Sequence, residues 1–355
     1  MIQKLRKLLY PFTLLYKGVT TTRNKLYDRG ILESNAFDIP LITVGNLRVG
    51  GTGKTPQVAY LVKLLKSSYR VAVLSRGYKR KSKGFVLANK TKTAIELGDE
   101  PYQLFRQHPD IVVAVDADRT HGIAELCAMH TPPDVILLDD AFQHRKVQSG
   151  FSILLTAYDD LYIEDTHLPS GNLRESVEGA KRAQVIVVTK CPDVLSEQEE
   201  FDIALKLKVG LKQTVFFTRI KYAEYIQSTK QKIAIDDLSK YKLVLITGIA
   251  NPKPLVNFLE LKKCDFEHLS YPDHHQFSKM DIENIQKEFL KIPDKNKLLL
   301  TTEKDYVRIF ASLENLYYLA IETEFINHQK DFDKLILDYV GKNTRNSKIS
   351  KGERI

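Results

Sequence analysis

A glycine-rich loop that follows an apolar run constrains the fold of this chain more than any other feature of its sequence. Residues 41–44 are apolar or β-branched, as in a buried strand, and the glycine-rich loop comes a few residues later. Glycines let successive backbone N–H groups curl around phosphate oxygens, and a following helix adds the positive end of its dipole. We therefore predict a nucleotide phosphate site formed by Val49, Gly50, Gly51, Thr52, Gly53, Lys54, Thr55 and Pro56.

The end of this loop carries the two side chains that a P-loop needs. Lys54 would reach the β- and γ-phosphates of ATP, and the hydroxyl of Thr55 would bind Mg²⁺. The match to the GxxxxGK[ST] pattern is imperfect, because Arg48 occupies the position of the first glycine. Gly50 and Gly51 could supply the tight curvature instead. The ordinary alternative is a glycine turn that caps a helix, and the strand before the loop argues against it.

A pair of carboxylates after another apolar run could complete a metal site. Residues 135–138 fit a buried strand, and Asp139 and Asp140 follow it directly. P-loop enzymes hold Mg²⁺ with an acidic residue at the end of such a strand, directly or through water. An Asp pair could equally form a turn, but the phosphate loop upstream favours metal binding. We therefore predict Thr55, Asp139 and Asp140 as Mg²⁺ ligands.

Short apolar runs recur along the chain, separated by connections that are long enough for helices. This pattern predicts strands buried on both faces of a parallel sheet. Further on, residues 215–220 and 232–235 could pair as an antiparallel ribbon. We expect an α/β fold, in which a P-loop NTPase-like α/β/α N-terminal lobe is joined by a β-ribbon linker to a smaller α/β C-terminal lobe. The expected segments are a basic amphipathic N-terminal segment (1–30), a P-loop domain (31–213), a two-stranded linker (214–236), a smaller α/β domain (237–340) and a basic tail (341–355).

The net charge of +9 would suggest nucleic-acid binding if it were spread over the chain. Instead, residues 1–30 contain seven Lys or Arg against one Asp, and residues 341–355 contain five against one Glu. The body between the two ends is close to neutral and lacks the basic face of a duplex binder, so we expect no nucleic-acid partner. The three cysteines form no CxxC pair, and no apolar stretch is long enough to span a bilayer.

The basic N-terminal segment has the pattern of a helix in a membrane interface. Its apolar residues lie near helical spacing and are flanked by cations, which anionic headgroups attract. The alternative is a helix that packs on its own domain. The residues alone favour neither the membrane-interface helix nor the packed helix. The apolar residues are Ile2, Leu5, Leu8, Leu9, Phe12 and Leu15.

Three functions are compatible with a phosphate loop and a metal carboxylate. A GTPase would need a DxxG switch after the metal strand, but residues 141–143 contain no glycine. Its base-reading NKxD motif is matched only by residues 189–193, which hold one residue too many. A nucleotide-gated membrane scaffold would not need so many polar residues at strand ends. A kinase needs a group that accepts the proton of an alcohol and directs its oxygen towards the γ-phosphate.

Two stretches offer candidates for that proton acceptor. Asp99 and Glu100 precede a proline at the expected start of a helix, and His274 belongs to the densest group of imidazoles in the chain. Histidine titrates near neutral pH, so a carboxylate–histidine pair could act as a base. A helix start and a solvated loop are the ordinary interpretations. No spacing rule brings the two stretches together.

The motifs described so far occur in the order of a known family. The chain resembles tetraacyldisaccharide 4′-kinase, the lipid A 4′-kinase of Gram-negative bacteria, from its N-terminal segment to about Arg308. Each motif is modest alone, but the shared order is specific. The motifs are residues 44–56 (VGNLRVGGTGKTP), 75–78 (SRGY), 98–101 (GDEP), 139–145 (DDAFQHR), 168–175 (LPSGNLRE), 247–252 (TGIANP), 273–274 (DH) and 301–305 (TTEKD).

The resemblance implies an activity and a location. It implies transfer of the ATP γ-phosphate to the 4′-hydroxyl of a tetraacyldisaccharide 1-phosphate, which gives lipid IVA, with Mg²⁺ as the metal. It also implies a monotopic enzyme on the cytoplasmic face of the inner membrane, with a glycolipid substrate and no protein partner. This location favours the membrane-interface interpretation of residues 1–17.

For individual residues, the resemblance implies that Asp99 is the catalytic base and that His274 is paired with it, beside Lys54. It also implies that Arg174 and Glu175 lie near the active site. Two departures from the family are Ala141, where glycine is usual, and Asn172, where proline is common. Ala141 requires a negative φ angle or some strain.

The anionic groups of both substrates need cationic partners, because guanidinium binds phosphate in a bidentate fork. Any one of these arginines could instead form a structural ion pair. Lys304, in a probable helix start, could also face the nucleotide. The predicted substrate-binding residues are Arg76, Glu100, Arg119, Arg145, Arg174 and Glu175.

Overall fold

A computed structural model of the chain describes residue 6, residues 8–309 and residues 312–352, with side chains up to residue 344. The helices in this part of the chain are α1 (Tyr10–Asp28), α2 (Lys54–Leu65), α3 (Ala94–Leu97), α4 (Asp99–Gln107), α5 (Arg119–Cys127), α6 (Glu197–Lys206), α7 (Lys253–Leu261), α8 (Lys279–Lys291), α9 (Glu303–Ile309) and α10 (Gln329–Gly352). Short 3₁₀ helices lie at Tyr162–Glu164, Val177–Arg182 and Ile235–Lys240.

The strands of the described residues belong to one continuous sheet. They are β1 (Leu41–Asn46), β2 (Val71–Ser75), β3 (Val86–Leu87), β4 (Val112–Val115), β5 (Val135–Asp139), β6 (Phe151–Ala157), β7 (Val185–Thr189), β8 (Thr214–Gln227), β9 (Lys232–Ala234), β10 (Lys242–Thr247), β11 (Asp265–Ser270), β12 (Lys297–Thr302) and β13 (Leu316–Phe325). Their order is β11-β10-β12-β13-β8-β7-β6-β1-β5-β2-β4-β3, and β9 pairs with β8.

The first lobe is built on strands β1 to β7, which run parallel except for the short edge strand β3. Strands β1, β2, β5 and β7 are buried along their whole length, because helices cover both faces of the sheet. Helix α2 packs Leu61 and Leu65 against Ile42 on one face, and α5 packs Ile123 and Leu126 on the other. The predicted α/β fold is confirmed.

Two long antiparallel strands connect the lobes. Strand β8 pairs with β7 through residues 214–217 and then with β13 through residues 218–227. The sequence predicted a two-stranded linker within residues 214–236, but residues 232–234 pair only with the end of β8. The main partner of β8 is β13, which comes much later in the chain. The predicted antiparallel pairing within residues 214–236 is therefore present at the end of β8. The longer pairing of β8 with β13 was not predicted, because strand pairing need not be local in sequence.

The second lobe is built on β10, β11 and β12, which are parallel to one another and to the adjoining part of β13. The last helix, α10, then returns to the first lobe, where Phe332, Ile336 and Val340 join its core. These three residues are four apart and therefore form one apolar stripe on the helix. The predicted division had assigned residues up to 340 to the smaller domain. The structure places this helix on the first lobe instead.

Helix α1 lies against the loop that follows β6, and its outer side carries large apolar side chains. Among the described residues, no helix is long and apolar enough to cross a membrane. The predicted apolar residues Ile2 and Leu5 lie outside the described residues. The exposed apolar residues in and just before α1 are Leu8, Leu9, Tyr10, Phe12, Leu14, Leu15 and Val19.

Candidate active site

The phosphate loop connects β1 to α2 at the carboxyl edge of the first-lobe sheet. Gly50 and Gly53 have φ angles of 117° and 81°, which glycine adopts without strain. Asn46 Nδ2 donates to Thr52 Oγ1 at 2.9 Å, and Thr189 Oγ1 donates to the Thr52 carbonyl at 2.9 Å. The ends of β1 and β7, which lie on either side of β6, therefore fix the loop directly before the positive end of α2.

Arg48, which stands where the P-loop pattern has its first glycine, is buried. Its guanidinium forms ion pairs with Asp160 and with Asp165, the latter at 2.8 Å, and donates to the Asp160 carbonyl at 2.7 Å. The departure from the pattern is therefore structural, because this side chain ties the phosphate loop to the segment after β6. Nothing in the local sequence distinguishes this structural role from a contact with phosphate.

The predicted lysine and the predicted metal carboxylates lie next to each other. Lys54 Nζ is 3.7 Å from Asp140 Oδ1 and 3.4 Å from Asn46 Oδ1. Arg174 Nη1 contacts both oxygens of the same carboxylate, at 2.9 and 3.1 Å. Burial alone would raise the pKa of Asp140, but Lys54 and Arg174 outweigh burial and lower the pKa. Asp140 is therefore an anion held between two cations beside the phosphate loop.

Asp139 is more deeply buried than its neighbour. Its Oδ2 accepts a hydrogen bond from Ser75 Oγ at 3.1 Å, while its Oδ1 has no hydrogen-bond partner among the described residues. Burial raises the pKa of Asp139, and the carboxylates of Glu100 and Asp140 raise it further. A cation would stabilise the ionised form of such a carboxylate. Together with Thr55 at the start of α2, these oxygen donors fit Mg²⁺.

The predicted acid–base pair comes together across the two lobes. Asp99 begins α4 in the first lobe, and His274 follows β11 in the second. His274 Nδ1 is 3.5 Å from Asp99 Oδ2. The imidazole also packs edge-on against the ring of Tyr78, with 5.8 Å between the ring centroids. The fold therefore joins two stretches that no spacing rule connected.

Two cations of α9 surround this pair. Arg308 donates to Asp99 Oδ2 from Nε at 2.9 Å and from Nη2 at 2.5 Å, and its Nη1 donates to Asp305 at 2.9 Å. The same Nη2 is 3.1 Å from His274 Nδ1, and Lys304 Nζ is 3.1 Å from His274 Nε2. Burial lowers the pKa of His274, and Lys304 and Arg308 add to this effect, so the ring is neutral near pH 7. Arg308 is a site residue that was not predicted from the sequence.

Comparison with known proteins identifies the family of this chain. The family described as LpxK, tetraacyldisaccharide-1-P 4′-kinase, matches residues 5–341. The chain belongs to this family. A tetraacyldisaccharide 4′-kinase from Flavobacterium johnsoniae is 53% identical over 341 residues, which cover 96% of this chain and 98% of that protein. Another, from Bacteroides thetaiotaomicron, is 44% identical over 369 residues, which cover 99% of this chain and 97% of that protein.

A solved structure of a tetraacyldisaccharide-1-P 4′-kinase has the same fold. The crystal structure of the "apo" form of LpxK from Aquifex aeolicus in complex with ATP matches with a TM-score of 0.77 and 31% identity, covering 95% of this chain and 99% of that chain. The present chain is therefore an ATP-dependent kinase of lipid A biosynthesis. The order of its motifs had identified the family correctly.

The remaining predicted substrate residues of this kinase lie at different distances from the carboxylates. Arg174 contacts Asp140, and Glu100 is close enough to Asp139 to raise its pKa. Arg76 is exposed just after β2. These residues remain candidates for binding the substrates.

Glu175 is buried among donors of the kinase itself. Its carboxylate accepts hydrogen bonds from Asn24 at 2.6 Å, from Gln143 at 3.0 Å and from Arg182 at 2.9 Å. A carboxylate with so many donors needs no external cation. We assign Glu175 the role of a link between α1 and the loop after β5.

Two of the predicted arginines occupy structural positions. Arg119 is only 2% exposed, and its Nη2 donates to the Asp139 carbonyl at 3.2 Å. It therefore stabilises the backbone of the predicted metal-binding pair. Arg145 pairs with Asp28 at 2.8 Å and covers the ring of Tyr27 at the end of α1. Both guanidinium groups have partners inside the protein, while Nε of Arg119 and Nη1 of Arg145 have no hydrogen-bond partner among the described residues. Sequence alone does not separate an arginine that binds an anionic ligand from one that pairs inside the protein.

Proposed function

We propose that this kinase transfers the γ-phosphate of ATP to the 4′-hydroxyl of a tetraacyldisaccharide 1-phosphate and so forms lipid IVA. One observation supports the proposal above all. The phosphate loop, with Lys54 beside Asp140, adjoins the Asp99–His274 pair, since Glu100 lies close enough to Asp139 to raise its pKa. A phosphate-binding loop beside a proton acceptor is what phosphoryl transfer to an alcohol requires.

On the donor side, Lys54 and the backbone amides of the phosphate loop bind the β- and γ-phosphates. Thr55, Asp139 and Asp140 would hold Mg²⁺, which would supply positive charge to neutralise the negative charge that develops during transfer. Arg174 keeps the carboxylate of Asp140 in place through two contacts with its oxygens.

On the acceptor side, Asp99 accepts the proton of the 4′-hydroxyl while the hydroxyl oxygen forms a bond to the γ-phosphorus. The bond from that phosphorus to the bridging oxygen of ADP breaks in the same step. His274 is the neutral partner of Asp99, and Arg308 holds the carboxylate in contact with the imidazole. Because Asp99 and His274 belong to different lobes, the pair is complete only when α4 and α9 are in contact.

The direct test is a phosphorylation assay with the full chain. Labelled ATP, Mg²⁺ and a tetraacyldisaccharide 1-phosphate are incubated with the protein, and the position of the label on the lipid is determined. We expect label on the 4′-oxygen of the distal sugar. Release of free phosphate without labelled lipid would contradict the proposal and would indicate an NTPase.

We also propose that α1 attaches the kinase to the cytoplasmic face of the inner membrane. Its exposed apolar residues include Phe12 and Leu15, which are 63% and 67% exposed. Basic residues flank them, and the segment from 1 to 30 is strongly cationic. Both properties favour binding to a surface that contains anionic lipids. The same location would bring the kinase to its lipid substrate.

Replacing Phe12 and Leu15 together with glutamate should weaken membrane attachment. Burying one large apolar side chain contributes about 1.5–3 kcal/mol, so we expect a decrease of at least about tenfold in partitioning. The measurement is sedimentation with vesicles of phosphatidylethanolamine and phosphatidylglycerol. The matched control is Phe201→Glu on α6, which removes an equally exposed aromatic residue from another helix. Equal partitioning of the double variant and the control would contradict the proposal.

Replacing Arg308 with alanine should lower kcat by about 10²-fold, because misplacement of a reacting group by about 1 Å costs that much. Asp99 would lose the two hydrogen bonds that it accepts from Arg308. The guanidinium that contacts both Asp99 and His274 would also be absent, so the pair would be held less firmly. The affinity for ATP should change little. Arg308→Lys should recover little, since lysine lacks the bidentate fork.

The matched control for Arg308 is Arg70→Ala. Arg70 also binds a carboxylate, that of Asp134, with Nε and Nη2, but it lies before β2 at the opposite edge of the sheet. Steady-state kinetics and thermal unfolding of both variants separate a loss of catalysis from a loss of stability. A similar kcat for the two variants would remove Arg308 from the site.

A further inference from the structure

The polar side of α1 is hydrogen-bonded to one loop of the first lobe, residues 168–175, which we call the bridging loop. Thr13 Oγ1 donates to Ser170 Oγ at 2.8 Å, and the Ser170 amide donates back to Thr13 Oγ1 at 3.1 Å. Tyr16 donates its hydroxyl proton to the Arg174 carbonyl at 2.9 Å. The helix is therefore attached to the bridging loop at two points one turn apart.

Further contacts extend this attachment to Arg6, before the start of α1, and to Asn24 in the second half of the helix. Arg6 Nε donates to the Pro169 carbonyl at 3.0 Å, and its Nη2 donates to Asn172 Oδ1 at 3.0 Å. Asn24 Nδ2 donates to Glu175 at 2.6 Å. Every one of these partners belongs to the bridging loop. The loop thus follows the inner side of α1 along most of the helix.

The other side of the bridging loop contacts the phosphate loop and the metal carboxylate. The Val49 amide donates to the Asn172 carbonyl at 2.9 Å, and the Arg174 amide donates to the Leu47 carbonyl at 2.8 Å. The side chain of Arg174 contacts Asp140. Arg174 therefore accepts a hydrogen bond from Tyr16 at its carbonyl, donates from its amide to Leu47 just after β1, and contacts Asp140 with its guanidinium.

We propose that α1 positions the ATP-binding residues through the bridging loop, in addition to any contact with the membrane. Thr13 and Tyr16 are then positioning residues for the nucleotide, acting on Val49 and Asp140. This inference rests on the proposed function for its kinetic readout, although its effect on nucleotide binding can be measured alone. The apolar side of the helix and its polar side have separate roles.

The test removes only the polar atoms of the attachment. The double variant Thr13→Val, Tyr16→Phe keeps the shape of both side chains and leaves the apolar residues of α1 unchanged. Loss of two hydrogen bonds should raise the KM for ATP and the Kd of a fluorescent ATP analogue about tenfold. The KM for the lipid and the partitioning into vesicles should stay as in the unmodified protein.

The matched control is Thr20→Val, the same change on the same helix. Thr20 Oγ1 bonds only to carbonyls of α1 itself, those of Tyr16 and Lys17, among the described residues. Thr13→Ser in the Tyr16→Phe background should restore part of the affinity, because serine retains the hydroxyl. Thermal unfolding is measured for all variants.

The outcomes separate the possible roles of α1. Unchanged nucleotide affinity in the double variant would overturn the inference, and so would an equal loss in Thr20→Val. A change in the KM for the lipid alone would also overturn the inference, because it would mean that α1 acts on binding of the lipid and not of the nucleotide. If the unmodified protein binds the ATP analogue but phosphorylates no lipid, the proposed function fails, while the binding measurements still decide this inference.

Discussion

Asp99→Ala should lower kcat by about 10²–10⁴-fold, the range that a positioned general base contributes. Alanine cannot accept the proton of the 4′-hydroxyl, and it also removes one of the two carboxylates that Arg308 contacts, leaving that of Asp305. The affinity for ATP should remain nearly unchanged, because Asp99 contacts neither Lys54 nor the phosphate loop in this structure. Steady-state kinetics at saturating ATP and lipid, together with nucleotide binding at equilibrium, check both statements.

Two further variants make the result for Asp99 specific. Asp99→Asn keeps the shape of the side chain and should be almost as inactive, since an amide is not a base at neutral pH. Asp110→Ala, just beyond the other end of α4, removes an exposed carboxylate that pairs with Lys66 and should leave kcat unchanged. A kcat of Asp99→Ala close to that of the Asp110 variant would exclude Asp99 as the base.

Lys54→Met should lower kcat by about 10²–10³-fold, which is the usual cost of removing one group that stabilises charge in the transition state. Methionine retains most of the apolar stem but lacks the ammonium group that would contact the γ-phosphate. Asp140 would also lose one of its two cationic neighbours, so we expect weaker binding of Mg²⁺–ATP as well. Kinetics at several ATP concentrations and titration calorimetry with Mg²⁺–ATP measure the two effects.

Lys63→Met on the same helix is the matched control for Lys54. Lys63 is half exposed, pairs with Glu322 at 2.6 Å and lies about two and a half turns from Lys54 along α2. Its replacement should leave both kcat and nucleotide affinity within about twofold, as expected for an exposed ion pair. Equal effects of the two substitutions would mean that Lys54 does not contact the nucleotide.

Local patterns predicted the first lobe well because a parallel sheet leaves a strong local signal. Strands such as β1, β5 and β7 are buried on both faces and are therefore continuous apolar runs. The ribbon and α10 were harder to predict, since both depend on pairing between residues that are far apart in sequence. The sequence of β8 does not indicate which strand pairs with it. The apolar stripe on α10 indicates a buried helix but not the lobe against which that helix packs.

The candidate site divides in the same way. The phosphate loop and the Asp139–Asp140 pair are local motifs, and the structure brings Lys54 within 3.7 Å of Asp140. The contact between Asp99 and His274 depends on the arrangement of two lobes, so only the family resemblance pointed to it. Arg308 had no signal of its own, because an arginine at the end of a short helix has many ordinary explanations.

The position of α10 has a consequence for how the chain folds during synthesis. Strands of the first lobe leave the ribosome early, but their core lacks Phe332, Ile336 and Val340 until α10 has been translated. The second lobe, which lies between β8 and β13 in the chain, is complete before that point. Folding from the N-terminus one domain at a time, which is common for proteins of this size, is therefore not available to the nucleotide-binding half. The final packing of the first lobe therefore follows the synthesis of α10.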